Sequence, residues 1–314
     1  MKRIVTLTLN PAIDGAAEAE KVRPIRKIRT WAERYDPGGG GINAARVIRE
    51  LGGSVLAVYL SGGATGPVLD DLVHGARIES RRISIAGHTR ISHTVHETST
   101  GQEFRFVPQG PVLTEAEWKA TLSALERIEG DFLLASGSLP RGVPEDFYAH
   151  LASVAARRGM RFVLDTSGEA LKQAAGKGLY LIKPSLGELE GLVGRPLPTS
   201  DSQDAALRDL LAAGVADMIA LTLGRDGALL GTRDRLLRIE GLKVTPKSAV
   251  GAGDSFLGAM TLGLSEGRAA EDAFTLGMAA GTASVLTAGT ELCRRADVER
   301  LYREIRRGRE NSAG

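Results

Sequence analysis

One cysteine, few aromatic rings and almost no net charge narrow what this 314-residue chain can be. Cys293, standing alone, excludes an intrachain disulfide framework and any cysteine-cluster zinc site, which fits a reducing compartment. Its expected role is that of a small packed apolar side chain. Aromatic residues make up 4% of the chain, leaving few platforms for base stacking. Forty Lys and Arg against 38 Asp and Glu give a net charge of +2, too balanced for a nucleic-acid footprint. No apolar run approaches the ~18 residues that a membrane span needs. The first run, Ile4 to Leu9, is short, alternates with threonine and closes at Asn10-Pro11, unlike a secretory leader. The expectation is a cytoplasmic, soluble protein that works on small molecules, with neither nucleic acid nor membrane as partner.

What is present is a long alternation of strand and helix. Val5, Leu7 and Leu9 alternate with Thr6 and Thr8, so a strand ends at Asn10-Pro11 and delivers Asp14 just beyond it. Short apolar strands follow at Val55 to Leu60, Phe132 to Ala135, Phe162 to Leu164, Leu179 to Ile182 and Met218 to Leu223, with amphipathic helices between them. That pattern specifies a parallel sheet covered on both faces, hence an α/β fold. Ligands of such sheets bind beyond the carboxyl ends of the strands. Ser136-Gly137-Ser138, Asp165, Lys183 and Thr222-Leu223-Gly224 stand at those ends and should line one cleft. Thr89 to Val107 reads instead as two strands around Ser99-Thr100-Gly101. An even number of loop residues would set Thr94 opposite Arg105 and put Arg90 and Arg105 on one face; an odd number would separate them. Together with the irregular, charged stretch from Gly15 to Asp36, this segment suggests a small sheet inserted as a lid. His88, His93 and His96 lie here too, but His93 and His96 point to opposite faces of a strand, so one metal ion would not bridge them easily. The tail from Arg306 to Gly314, charged and glycine-containing, reads as frayed. No repeat or low-complexity linker interrupts the chain, so residues 1–314 form one domain with lid insertions at about 12–37 and 88–108.

Two glycine clusters carry the chemistry. Gly38-Gly39-Gly40-Gly41-Ile42-Asn43 opens a helix whose Ala44, Val47, Ile48 and Leu51 recur with helical spacing. Consecutive glycines cost backbone entropy, and close approach of the main chain to a ligand would be the return. Val250-Gly251-Ala252-Gly253-Asp254-Ser255 opens a second helix, with Phe256, Met260, Gly263 and Leu264 on one face. Its glycines turn the chain tightly and aim several N–H groups one way at the positive end of the helix dipole, which favours an anion. A carboxylate there, Asp254, suits a base that accepts a proton beside a phosphoryl group; otherwise it is simply the N-cap of its helix.

Both clusters together, about 200 residues apart, resemble the ribokinase-like sugar kinases of the PfkB family. The likeness extends to Thr6 through Pro11, Arg105-Phe106-Val107, Ser136 through Pro140, Asp165 through Leu171 and Gly281 to Leu292. Within the family the chain is most similar to the minor bacterial 6-phosphofructokinases, with fructose-1-phosphate and tagatose-6-phosphate kinases as near relatives. The resemblance implies a ribokinase-like three-layer α/β/α domain with a mostly parallel central sheet and an inserted β-sheet lid that also forms a homodimer. It implies ATP and Mg2+ as cofactors, leaves room for a monovalent cation, and makes a phosphosugar the substrate. Asp254 would take the sugar hydroxyl proton, with Gly251, Ala252 and Gly253 stabilising the moving phosphoryl group through N–H donors. Asp14, Gly39 and Asn43 would hold sugar hydroxyls, while Lys27, Arg90, Arg105 and Ser138 would face the phosphate already on the sugar. Lys183, Ser185, Thr222, Gly224 and Gly227 fall where relatives meet the nucleotide, and Glu188 where they handle metal. The family's Asn-x-x-Glu stands here as Ser185-Leu186-Gly187-Glu188, which is also a helix capping box. The activity implied is phosphorylation of fructose 6-phosphate to fructose 1,6-bisphosphate; the rivals are the two related kinases and a non-catalytic sugar-phosphate-binding regulator on the same fold.

Overall fold

Every residue of Ile4–Thr8 is buried, so this first strand, β1, has no solvent face and must be covered on both sides. The computed structural model, which describes residues 2–313, shows how. The further strands are β2 Ala12–Ala19, β3 Trp31–Gly38, β4 Val55–Gly62, β5 Glu79–Ile85, β6 Arg90–Glu97, β7 Gln102–Phe106, β8 Phe132–Ser136, β9 Arg161–Asp165, β10 Leu181–Ile182, β11 Met218–Thr222, β12 Ala228–Thr232 and β13 Leu236–Ile239. The helices are α1 Gly40–Glu50, α2 Gly66–Gly75, α3 Glu115–Leu125, α4 Phe147–Arg157, α5 Gly168–Ala174, α6 Leu186–Val193, α7 Ser200–Ala212, α8 Ala252–Ser265, α9 Ala270–Val285 and α10 Arg295–Ala313.

Nine strands form one sheet in the order β13-β12-β11-β10-β9-β8-β1-β4-β5, parallel from β5 to β11 and antiparallel at β12 and β13. Alternate residues feed alternate faces. Ile4, Ala57 and Phe132 pack with side chains of α1, α2, α8, α9 and α10, whereas Val5, Val58 and Leu133 pack with those of α3 to α7. The result is the expected three-layer arrangement. From β1 the chain builds outward through β4 to β5, then returns to β8 on the other side of β1. Between β1 and β8, therefore, lies the switch point at which sheets of this kind bind ligands.

The other four strands make a separate sheet in the order β3-β2-β6-β7. Thr94 stands opposite Arg105 across β6 and β7, the even-loop alternative, so Arg90 and Arg105 share a face. β2 pairs with both β3 and β6, which brings Asp14 level with Asp36 and Ser92.

Three features depart from the expectations. β5 carries Glu79, Ser80, Arg81 and Arg82 exposed on the sheet edge, and only Ile83 and Ile85 at its end alternate inward, too short a run to announce a strand. α5 is too short for a readable period. The frayed tail is instead helix as far as Ala313: Ile305 is buried and Arg309 donates to the Thr275 hydroxyl at 2.8 Å, so the last turns are anchored to α9. Cys293 is buried, and desolvation pushes its thiol up to about 12, which keeps it neutral. Among the described residues no helix is long and apolar enough to cross a membrane.

Candidate active site

α8 begins at Gly251, whose φ of 72° places it in the left-handed region that glycine adopts without strain. Ser255 N–H donates to the Gly251 carbonyl at 2.8 Å, the first bond of the helix, so the N–H groups of Gly253 and Asp254 find no acceptor within it. Asp254 sits in this first turn and is not the cap, a position that Gly251 fills without a side-chain bond. Its carboxylate is held from two sides: Asn43 Nδ2 donates to Oδ2 at 3.0 Å and Ser136 Oγ to Oδ1 at 3.3 Å. A methyl group on Gly40 would lie 2.0 Å from Ser136 Oγ and 3.0 Å from Asp254 Oδ1. Only a bare backbone at residue 40 therefore lets the starts of α1 and α8 meet the end of β8. The Thr8 hydroxyl, at the end of β1, accepts from Ile42 N–H at 2.8 Å and pins α1 to the same switch point.

Asp254 is common to two pockets. One, of about 180 Å³, is lined by Asp14, Gly39, Gly40, Asn43, Gly251 and Asp254, with Arg90, Ser92, Thr94 and Arg105 supplied by the four-stranded sheet. Arg90 is braced by the carbonyls of Asn10, Pro108 and Pro11 at 2.7, 3.0 and 3.4 Å, whereas the Arg105 side chain makes no hydrogen bond or ion pair among the described residues. Burial drives Asp14 up to about 6, against the pull of Arg90, Arg46 and Arg105. A second pocket, of about 230 Å³, is lined by Gly40, Ser136, Ser138, Asp165, Glu188 and Asp254. Ser138 thus lies on this side and not beside the two arginines.

Lys183 reaches the same region from the end of β10. Its ammonium is 3.2 Å from Asp165 Oδ1, and a methyl group on Gly253 would lie 3.4 Å from Nζ. Burial opposes the charge on Lys183, but Asp165, Asp254 and Glu188 outweigh it and hold the ammonium above its ordinary range. Burial likewise raises Asp165 to about 6, with Lys183 opposing. At the start of α6 the capping box is complete: Glu188 Oε2 accepts from Ser185 N–H at 2.7 Å, and Ser185 Oγ from Glu188 N–H at 3.4 Å. Glu188 nevertheless reaches the wall of the second pocket. Thr222 bonds the Pro184 carbonyl through both N–H and hydroxyl, at 2.9 and 3.3 Å, and bridges to Ser185. Gly224 and Gly227 follow with φ of 60° and 103°; neither they nor Thr222 line the two pockets at Asp254. Lys27 lies exposed between β2 and β3, away from the arginine pair in the pocket wall.

Ser92, Arg46, Asp36 and Thr290 escaped the sequence reading. Arg46 had a usable signal, since it follows Asn43 by three residues on one helix and must share its face.

The family model described as pfkB family carbohydrate kinase matches residues 9–297. The chain belongs to the pfkB family of carbohydrate kinases. Among its relatives, ATP-dependent 6-phosphofructokinase isozyme 2 of Mycobacterium tuberculosis is 44% identical over 302 residues, covering 96% of this chain and 89% of that protein. Two solved structures of phosphofructokinase-2 from Escherichia coli, one in complex with potassium and one with fructose-6-phosphate, share its fold with TM-scores of 0.93 and 0.92. They are 38% and 37% identical to this pfkB kinase, each over 97% of its length and 99% of theirs. A 1-phosphofructokinase of Bacillus subtilis is 30% identical, over 96% of this chain and 98% of its own.

Proposed function

We infer that this pfkB-family kinase is an ATP-dependent 6-phosphofructokinase, making fructose 1,6-bisphosphate from fructose 6-phosphate in glycolysis. One observation carries the reading: Asp254 stands in the wall common to two pockets, with an arginine pair across one and Lys183 beside the helix N-terminus that borders the other. The margin of identity toward the 6-phosphofructokinase over the 1-phosphofructokinase supports the choice of substrate.

In this reading Arg90 and Arg105 take the phosphate already on the sugar, since forked guanidinium donors match its oxygens. Asp14, Asn43 and the Gly39 backbone hold hydroxyls, and the alcohol to be phosphorylated comes to rest at Asp254. As its oxygen attacks the terminal phosphorus of ATP, its proton passes to the Asp254 carboxylate; the new O–P bond forms while the bond to the departing ADP breaks. N–H groups of Gly251, Ala252 and Gly253 with the Lys183 ammonium spread the charge of the moving phosphoryl group. No cluster of three or more metal-binding side chains occurs among the described residues, but Asp165 and Glu188, carboxylates on one pocket wall, are hard oxygen donors that would hold a magnesium ion. When bound, such an ion offsets phosphate charge. The potassium in the Escherichia coli structure supports a monovalent cation as a further cofactor.

The four-stranded sheet acts as the lid in this account, because it supplies Asp14, Arg90 and Arg105 from strands outside the main sheet. Exposed Trp31, Tyr35 and Phe106, at 44%, 52% and 56%, are apolar surface on that sheet that a second copy of the chain would cover. A homodimer through the lid follows from that.

A coupled ADP-release assay across fructose 6-phosphate, tagatose 6-phosphate and fructose 1-phosphate tests the assignment. The highest kcat/KM should belong to fructose 6-phosphate. Preference for another sugar would reassign the substrate, and no turnover with any would leave a binding regulator.

A further inference from the structure

We propose that Arg46 is a positioning residue for this reaction: it fixes the amide of Asn43, and through that amide the carboxylate of Asp254, while tying both to the lid strand β3. The proposal rests on the kinase reading above and gives a role to a residue outside the expected site.

Arg46 lies one turn after Asn43 on α1, with only 15% of its side chain exposed. Its Nη1 donates to Asn43 Oδ1 at 3.3 Å and to the Pro37 carbonyl at 3.2 Å; its Nη2 donates to Asp36 Oδ1 at 3.2 Å. Asp36, near the end of β3, is gripped as well by Arg34 Nε at 2.7 Å and by the Thr290 hydroxyl at 2.5 Å. The guanidinium is thus clamped by three acceptors, two on β3 and one on its own helix, and one of its N–H groups is aimed at the Asn43 amide.

The direction of that bond decides the chemistry. A guanidinium only donates and a carboxylate only accepts, so an amide caught between them has one satisfactory orientation, with oxygen toward Arg46 and NH2 toward Asp254. Turned over, it would set NH2 against the guanidinium and its oxygen against the carboxylate. Arg46 therefore supplies the preference that keeps Asn43 Nδ2 on Asp254 Oδ2 at 3.0 Å. Remove it, and Asn43 can rotate, leaving the carboxylate steered by Ser136 alone. A displacement of about 1 Å at a reacting group is enough to cost on the order of 10²-fold in rate. A buried ion pair is poor evidence of stabilisation, since desolvation offsets its attraction, so the Arg46–Asp36 pair by itself would not account for the arrangement.

The test is a double-mutant cycle on the intact chain. kcat and KM are measured for Arg46→Met and Arg46→Lys in the native and the Asn43→Ala backgrounds, with thermal melts to verify folding. Arg46→Met should lower kcat roughly 10- to 100-fold with KM for ATP within about twofold. Arg46→Lys keeps a charge for Asp36 but cannot span both acceptors, and should recover less than about a fifth of native turnover. Once Asn43 is alanine, either Arg46 change should lower kcat by less than about threefold, because the route is already cut. Should Arg46→Met not fold, the lysine arm of the cycle decides alone. The proposal is overturned if the full loss recurs on the Asn43→Ala background, or if lysine restores native turnover. A native chain that phosphorylates no sugar would sink the kinase reading, and this proposal with it.

Discussion

Asp14 should make the unliganded protein less stable than it would be with a neutral side chain, and the size of the effect follows from its surroundings. Burial raises its carboxyl to about 6 from an ordinary 3.8, even with Arg90, Arg46 and Arg105 nearby. Between those two pH values the folded chain holds a proton that the unfolded chain has released, so this group's contribution to stability falls as pH rises through the window. Above pH 6 the full cost applies: about two pH units at ~1.4 kcal/mol each, or about 3 kcal/mol. Asp14→Asn imitates the protonated carboxyl at every pH. With an unfolding entropy of ~2.1 cal/mol/K per residue over 314 residues, the variant should melt about 4–5 °C higher at pH 7.5. That gain should grow from pH 4 to 6, level off above 6 and shrink to roughly 1 °C or less at pH 4. Thermal melts from pH 4 to 8 on both proteins measure it directly. The same variant should bind phosphosugar worse, the usual exchange of stability for function at a site. No gain at pH 7.5, or an equal gain at pH 4, would refute the reasoning.

The Arg105 side chain makes no hydrogen bond or ion pair among the described residues and only a minor electrostatic contribution at Asp14, so Arg105→Met should leave the melting temperature within about 2 °C while raising KM for the phosphosugar at least ~10-fold, as loss of a charge-assisted phosphate contact does. Unchanged KM in steady-state assays would remove it from the phosphate site. Glu188→Gln retains an acceptor for Ser185 N–H, so the capping box and the melting temperature should persist while the magnesium concentration for half-maximal rate rises several-fold. A magnesium titration that overlays the native one would leave Glu188 as a helix cap only.

Much of this was readable in the residues, and the limits have physical causes. Gly251, Gly253 and Asp254 announced a helix start because a helical stripe begins directly after them, and the structure puts Asp254 in the first turn. The shared face of Arg90 and Arg105 could be read as far as the parity of one loop; the pairing of Thr94 with Arg105 supplied that parity. Ser136 and Asp165 were visible as strand ends, but their nearness to Asp254 depends on the order of strands in the sheet, which local patterns do not encode. Family likeness groups Ser138 with the arginines, whereas the turn after β8 places it on the wall of the other pocket. Arg46, an arginine among helix charges, reads as surface until Asp36 of β3 pairs with it and Thr290, from a distant part of the chain, donates to the same carboxylate. The last helix misled for a related cause. Its charges and Gly308 look unstructured, whereas Ile305 and Arg309 dock it against the body of the molecule.

The central claim is that Asp254 accepts the proton of the sugar alcohol as phosphoryl transfer proceeds. Single-turnover ADP formation by Asp254→Asn, with fructose 6-phosphate, ATP and magnesium all saturating, tests it most directly. The account predicts a rate at least ~10²-fold below that of the native chain in a protein that melts normally. A rate within a few-fold of native would contradict it.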